Sequence, residues 1–215
     1  MSDDATLRVL VCDDHPLFRR AVVTSLEDAG LDVVAEAATG AEAVERAIDH
    51  APDVILMDLR MPEGTGIEAT AAIRRARPWS RVLVLTVSDD LDELLAAIRA
   101  GALGHLRKED SMTVLAGAVR AVHRGEVIVG AALARALRHD LARLEREVVE
   151  PRRAAGVEVW TLSDRQGDLL DRLVDGLDLD EAAAALGLDL AMARTELRAV
   201  IQGLHRLAAL EETAA

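Results

Sequence analysis

Four short apolar runs in this chain carry a polar side chain at or near their carboxyl end. "LRVLVCD" (7–13) runs into Asp13 and Asp14, "DVILMD" (53–58) ends on Asp58, "RVLVLTV" (81–87) contains Thr86, and "LGHLRK" (103–108) ends on Lys108. Taken singly, Asp13 or Asp14 could cap a following helix, Asp58 could sit in a turn, and Thr86 could be a β-former. Taken together on one sheet edge, three carboxylates repel one another unless a cation lies among them. An all-oxygen ligand set with room for water suits Mg²⁺. A hydroxyl and an ammonium beside it could bind the oxygens of a phosphoryl group. Lys108 is also the only lysine among 25 basic residues. An ammonium is a compact point charge on a slim stem, whereas a guanidinium is wide and prefers forked partners.

The elements that must position these groups are legible as an alternation. Strands are expected at 7–13, 31–37, 53–58, 81–87 and 103–108, with helices at about 16–29, 41–50, 65–77, 89–100 and 111–124. Runs such as "VILM" and "VLVL" are apolar throughout, as strands buried on both faces are. Pro16 suits a first helical turn, and Gly30 and Gly101 sit just past helix ends. The fold class is α/β: a five-stranded parallel, doubly wound sheet, a helical linker, and a small all-α unit. In such sheets ligands bind outside the carboxyl ends of the strands, where the polar residues fall.

Residues 131–150 form an amphipathic helix with Leu133, Leu137, Leu141, Leu144 and Val148 on one stripe, and Pro151 is expected to stop it. Beyond a loop, the chain is helical from Trp160 onward. The expected domains are therefore 1–125, a linker at 126–159, and 160–215.

Composition narrows the function classes. The net charge is −13, which argues against generic adhesion to nucleic acid or membrane. Residues 160–215 hold 5 arginines against 11 acidic residues. With one cysteine, Cys12, no internal disulfide can form, and Cys12 in a strand reads as core. No signal-peptide layout opens the chain, and no apolar run approaches the ~18–20 residues that span a bilayer. A cytoplasmic location is the expectation. "GTGIEA" (64–69) matches a dinucleotide fingerprint but follows the third strand rather than the first, so it is discounted. The six histidines show no zinc-ligand spacing.

On "VCDDHP", "VILMDLRMPEGTGIEAT", "VLVLTVSDD" and "GHLRKED", residues 5–125 resemble the receiver domain of bacterial two-component response regulators. The resemblance implies that Asp58 is the phosphoacceptor. Asp14 would bind Mg²⁺ directly and Asp13 partly through water, while Asp58 and the Arg60 backbone carbonyl complete the set. Thr86 and Lys108 would engage the phosphoryl oxygens. His105 stands at the position of an aromatic switch residue; it would turn inward with Thr86, or it is a half-exposed edge-strand histidine. The domain would catalyse only its own phosphoryl transfer and dephosphorylation, and is not an enzyme in the usual sense. A sensor histidine kinase is the implied partner, with homodimerisation on phosphorylation.

Residues 162–204 resemble the helix-turn-helix of NarL/LuxR-type regulators. Leu197, Val200, Ile201 and Leu204 would face the core. Ala191, Arg194, Thr195 and Arg198 would lie outward, and Arg194, Thr195 and Arg198 would contact DNA. This half departs from the pattern: "LDLDE" is acidic, "LDLAMA" offers no cation to a phosphate, and Glu196 replaces a frequent histidine. "HRLAALEETAA" is short for a fourth helix. An alternative output follows, in which DNA binding is largely lost and the domain acts on another protein, such as a second regulator. Leu190, Leu197, Leu204, Leu207 and Leu210 could then form a partner seam, or simply core.

Overall fold

The structure is a computed structural model that describes residues 6–88, 90–109 and 111–212. It divides into two compact units. The first comprises residues up to 88 with Ala100–Ile128, and the second comprises residues up to Arg99 from the 89–99 segment with the chain from Val129 onward.

In the first unit, strands β1 (Arg8–Cys12), β2 (Asp32–Ala37), β3 (Val54–Met57), β4 (Arg81–Thr86) and β5 (His105–Arg107) form one sheet in the order β2-β1-β3-β4-β5. Every neighbouring pair is parallel. Helices α1 (Pro16–Asp28), α2 (Gly40–His50), α3 (Gly66–Ala76) and α5 (Ser111–His123) connect or follow the strands; α4 (Leu91–Ala100) comes between β4 and β5 in the chain, and its residues up to Arg99 belong to the second unit.

Alternation along the strands builds two cores. Val9, Val11, Val54, Leu56, Leu83 and Leu85 pack against Val22, Val23 and Leu26 of α1 and Leu115, Val119 and Val122 of α5. Leu10, Ile55, Met57, Val82 and Val84 point the other way and are equally buried. That face is covered where α2 and α3 pack together, through small residues such as Ala43, Ala47 and Ala69. Because both faces are covered, the strands read as continuous apolar runs.

Three helix starts among the described residues are fixed by capping boxes, in which Thr65 pairs with Glu68, Ser163 with Gln166, and Asp178 with Glu181. The two glycines of "GTGIEA" have local structural roles: Gly64 takes a φ of +102°, and Gly66 allows a close approach. A Cβ on Gly66 would lie 1.9 Å from the Asp58 carbonyl oxygen, so only glycine lets α3 start directly beneath the end of β3.

In the second unit, α6 (Ala131–Leu144) continues without a break into a π turn (Glu145–Val149) and α7 (Glu150–Ala154). The expected stop at Pro151 is therefore corrected. Proline cannot donate a backbone bond and crowds the carbonyl four residues earlier. Here the preceding turn is widened, the Glu150 N–H reaches back to the Glu145 carbonyl, and the Arg152 side chain donates to the Val148 carbonyl. Pro151 thus opens a further helical turn, and the helix ends before Gly156, whose φ is +77°. The expected apolar stripe of Leu133, Leu137, Leu141, Leu144 and Val148 is wholly buried.

Helices α8 (Asp164–Val174), α9 (Leu179–Ala185) and α10 (Leu190–Glu212) complete this unit. Leu197, Val200, Ile201 and Leu204 face its core, as expected, together with Leu169, Leu170 and Leu173. α10 is one 23-residue helix that runs through Gly203, a residue of low helix propensity. Gly203 makes room for Trp160, because a Cβ there would lie 2.3 Å from the indole. Leu197, Leu204 and Leu207 are 2 % exposed or less, so they are core and not an open seam.

Asp140, 3 % exposed, anchors an ionic network in this unit. Arg99 of α4 binds both its oxygens at 2.8 Å, Arg143 joins at 3.1–3.2 Å, and Glu211 accepts from Arg143 and Arg99.

Candidate functional site: an acidic cluster closed by one lysine

Backbone pairing continues one residue past the strands and places the polar side chains. The Asp58 N–H donates to the Cys12 carbonyl (2.9 Å), the Asp13 N–H to the Ala37 carbonyl (3.0 Å), and the Lys108 N–H to the Thr86 carbonyl (3.0 Å). Asp13 and Asp58 therefore issue from the neighbouring ends of β1 and β3, and Lys108 from the end of β5, on the far side of β4.

Their side chains converge. Lys108 Nζ lies 2.6 Å from Asp13 Oδ2 and 2.6 Å from Asp58 Oδ2. The ammonium also stands 4.9 Å from the centre of the Phe18 ring, a cation–π distance. Above them opens a cleft of about 420 Å³ lined by His15, Phe18, Asp58, Arg60, Val87, Lys108 and Glu109.

The electrostatics follow from burial. Asp13 and Asp58 are 2 % and 3 % exposed, a costly place for two negative charges. Burial pushes the Asp58 carboxyl above the usual carboxylate range, and the Asp13 charge adds to this, while Lys108 and the Arg60 backbone N–H pull it back. Burial also opposes the charge on Lys108, but the two carboxylates outweigh it and hold the ammonium above its ordinary range. Cys12, behind the cluster, has its thiol raised by burial and then by Asp13, so it stays protonated and inert.

The cluster suits a divalent cation. Asp13, Asp14, His15 and Asp58 each offer a ligand atom, and those atoms all lie within 4.8 Å of one another. Asp13 Oδ2 lies 2.6 Å from the Lys108 ammonium and Asp14 Oδ1 lies 2.7 Å from the His15 ring nitrogen. Carboxylate oxygens are the ligands a hard cation takes.

The other expected residues lie as follows. Thr86 is fully buried at the end of β4, and its hydroxyl accepts from the Ser88 N–H at 3.0 Å. The Arg60 side chain reaches across to the Ser88 hydroxyl at 3.4 Å. His105 is half-buried on β5 opposite Val84 and is not among the cleft-lining residues. Residues that the sequence reading passed over also belong here. His15 and Phe18 were hidden because their role depends on how α1 leaves β1, although "DDH" placed His15 next to the acidic pair.

On α10, Ala191 and Thr195 are exposed and Arg194 and Arg198 are half-buried. The Thr195 hydroxyl donates to the Ala191 carbonyl of its own helix. Glu196 is an internal strut, accepting from Gln166 Nε2 at 3.0 Å and lying 3.5 Å from Arg165. No described helix is long and apolar enough to cross a membrane.

Comparison with known proteins agrees with this geometry. Residues 9–120 match the family described as response regulator receiver domain. The chain is 34 % identical over 206 residues to the nitrate/nitrite response regulator protein NarP of Escherichia coli K12, covering 95 % of this chain and 92 % of that one. Among solved structures, a LuxR-family two-component response regulator from Aurantimonas sp. SI85-9A1 aligns with a TM-score of 0.58 at 33 % identity, over 63 % of this chain and 98 % of that one. The response regulator ChrA of a heme-sensing two-component system aligns over 96 % of this chain and 98 % of its own, with TM-score 0.51 and 29 % identity. With a receiver-domain match over half its length and a relative matched almost end to end, this chain belongs to the NarL/LuxR family of response regulators.

Proposed function

We propose that this response regulator is phosphorylated on Asp58 by a sensor histidine kinase and controls transcription through its C-terminal helices. The observation that carries the reading is the single ammonium of Lys108 held 2.6 Å from the carboxylates of both Asp13 and Asp58 at the floor of an open cleft. Asp13, Asp14, Asp58 and the Arg60 backbone carbonyl would hold Mg²⁺. When bound, that ion supplies neutralisation of the charge on the transferring phosphoryl group.

The chain's own residues do the rest. The Asp58 carboxylate attacks phosphorus in line, and the phosphohistidine of the kinase leaves as neutral imidazole after protonation. Lys108 then transfers its attraction from the free carboxylate to a phosphoryl oxygen, and Thr86 exchanges its bond with the Ser88 N–H for one to another oxygen. His105, half-buried on the neighbouring strand, would follow Thr86 inward. The fold's self-directed chemistry makes it a switch rather than an enzyme acting on other substrates.

The proposed domains are a receiver at 1–125, a linker at 126–159 and a helix-turn-helix domain at 160–215, in a cytoplasmic protein that dimerises on phosphorylation. Arg194, Thr195 and Arg198 would face DNA. A second reading, in which the output domain acts on another protein such as a second regulator, is favoured by Glu196, which is spent on Gln166, and by the acidic start of α9, where Asp178 is the N-cap and Asp180 and Glu181 follow in the first turn. Phosphate neutralisation supplies much of any DNA affinity, and these residues supply none.

One experiment tests both levels. Incubation with acetyl phosphate and Mg²⁺ is expected to add one hydroxylamine-labile phosphoryl group to the protein, and none to Asp58→Asn. Equal labelling of that variant would overturn the site. Gel shifts with promoter fragments at low salt, using the labelled protein, then separate the outputs: retention supports DNA binding, and its absence selects the protein-directed reading.

A further inference from the structure

We propose that the turn carrying Trp79 in one molecule docks on the acidic start of α9 in a second copy of this chain, a contact that needs no phosphorylation. It goes beyond the phosphoryl-transfer reading above and stands independently of it.

Cations are concentrated in one stretch of the chain. Residues 74–81, "RRARPWSR", hold four arginines, and the surrounding span 69–88 has no acidic residue, in a chain with 38 of them. Arg75 is exposed and has no ion-pair partner among the described residues. Trp79, four residues on, is 89 % exposed, so most of a large aromatic surface lies in water. Single exposed apolar residues are ordinary, but tryptophan and arginine together are the types that carry most of the energy at protein interfaces.

The turn is held in shape before any partner arrives. The Arg74 side chain donates to the Pro78 carbonyl and, at 3.1 Å, to the Ser80 carbonyl. The Ser80 N–H donates to the Arg77 carbonyl at 3.0 Å, and Ser80 is buried. Trp79 is thus presented by a backbone tied on both sides, which lowers the ordering cost of docking.

The complementary surface lies in the second unit. Residues 173–193 hold five carboxylates and no cation. Asp175, Asp178, Asp180 and Glu181 are all exposed, and the side chains of Asp175 and Asp180 have no partner among the described residues. At the next helix start the Asp189 carboxylate accepts from the Met192 N–H at 2.7 Å, and Met192 is 43 % exposed. A soft thioether near this acidic rim suits an indole, while the rim suits the arginines.

Charge selects a second copy over a polyanion. Both copies carry −13, but charges more than about 8–10 Å from the contact are screened at physiological salt, so the local pairing decides. An extended phosphate array, in nucleic acid or on a lipid surface, would run past the turn along a chain of strongly negative net charge.

Sedimentation velocity of the full-length protein, without Mg²⁺ or phosphodonor, tests this at about 0.1 M and about 1 M salt, where screening lengths are roughly 10 Å and 3 Å. At the lower salt the average mass is expected to rise with protein concentration, and Trp79 emission to shift to the blue with it, over a constant Trp160 contribution. Both changes should shrink at the higher salt. Trp79→Ala, Arg75→Glu and Asp180→Arg should each weaken association about tenfold or more. Arg75→Glu combined with Asp180→Arg in one chain should restore it, since the charges then match again. Mass that does not change with concentration, association undiminished in Trp79→Ala, or a double variant no stronger than the single ones would overturn the proposal. A blue shift at constant monomer mass would place the contact within one chain and overturn it too. So would a shift seen only on adding a single-stranded oligonucleotide or anionic vesicles. Phosphoryl labelling of Asp58 is a separate measurement, so neither reading falls with the other.

Discussion

At the scale of single residues, Lys108 answers why one lysine persists in a chain otherwise committed to arginine. Its stem passes the Phe18 ring, and its ammonium fits between two buried carboxylates, each 2.6 Å away. A planar guanidinium is wider and would meet the two carboxylates as a fork, displacing one of them. Lys108→Arg is expected to accept phosphate on Asp58 yet lose the phosphorylation-dependent change in oligomeric state, measured by light scattering with and without acetyl phosphate. A full response in this variant would contradict the geometric account. The strand-end positions of Asp13, Asp58, Thr86 and Lys108 were legible in the sequence because a parallel sheet delivers its carboxyl ends to one edge. The contributions of His15, Phe18 and Ser88 were not, since each depends on the path of a loop or the pose of a ring.

At the scale of elements, hydrophobic period identified every strand and helix of the sheet unit, to within a residue or two at most ends. It failed at two places where a local rule was overridden by packing. The proline rule set a helix end at Pro151, but a π turn absorbs the missing donor and the helix continues. The glycine rule weakened α10 at Gly203, but that position lies beneath Trp160. Gly203→Ala is therefore expected to destabilise the second unit, although alanine is the better helix former. Overpacking of this kind costs about 1–3 kcal/mol, against a propensity gain of about 1 kcal/mol. Trp160 emission should shift to the red as the indole is displaced, while Trp79, 89 % exposed, contributes an unchanged background. An unshifted spectrum with raised stability would show that the indole yields freely.

At the scale of the whole molecule, the net charge of −13 leaves the 38 acidic residues in excess of the 25 basic ones, and several arginines are engaged inside the fold. In the second unit Arg99 and Arg143 bind Asp140 and Glu211, Arg138 binds Asp171, and Arg152 binds backbone carbonyls. The excess of carboxylates over arginines from 160 to 215 opposes a phosphate backbone, which is the electrostatic reason the DNA-directed output needs direct measurement. The same network makes stability depend on pH. Arg143, and then the charge of Arg99, hold the Glu211 carboxyl below its ordinary value of 4.5. A depressed folded value stabilises the protein above the unfolded value and is lost as pH falls through the folded one. Urea unfolding followed by Trp160 is thus expected to lose stability progressively below about pH 4.5, and Glu211→Gln should flatten that acid limb. Parallel acid limbs in the two proteins would remove Glu211 from the linkage.

The sequence by itself determined the parallel sheet, the order of its elements, and the convergence of carboxylates and one ammonium at the strand ends. Those follow from the period of apolar residues and from the rule that successive parallel strands point the same way. Only the tertiary structure decided what the loops and helix surfaces do. It turned His15 toward the acidic cluster, set Glu196 against Gln166, buried Leu197, Leu204 and Leu207 of α10, and carried α6 past Pro151. Each of these is the pose of a side chain in a loop, a contact between residues far apart in sequence, or a backbone choice imposed by packing, and none leaves a periodic trace in the chain.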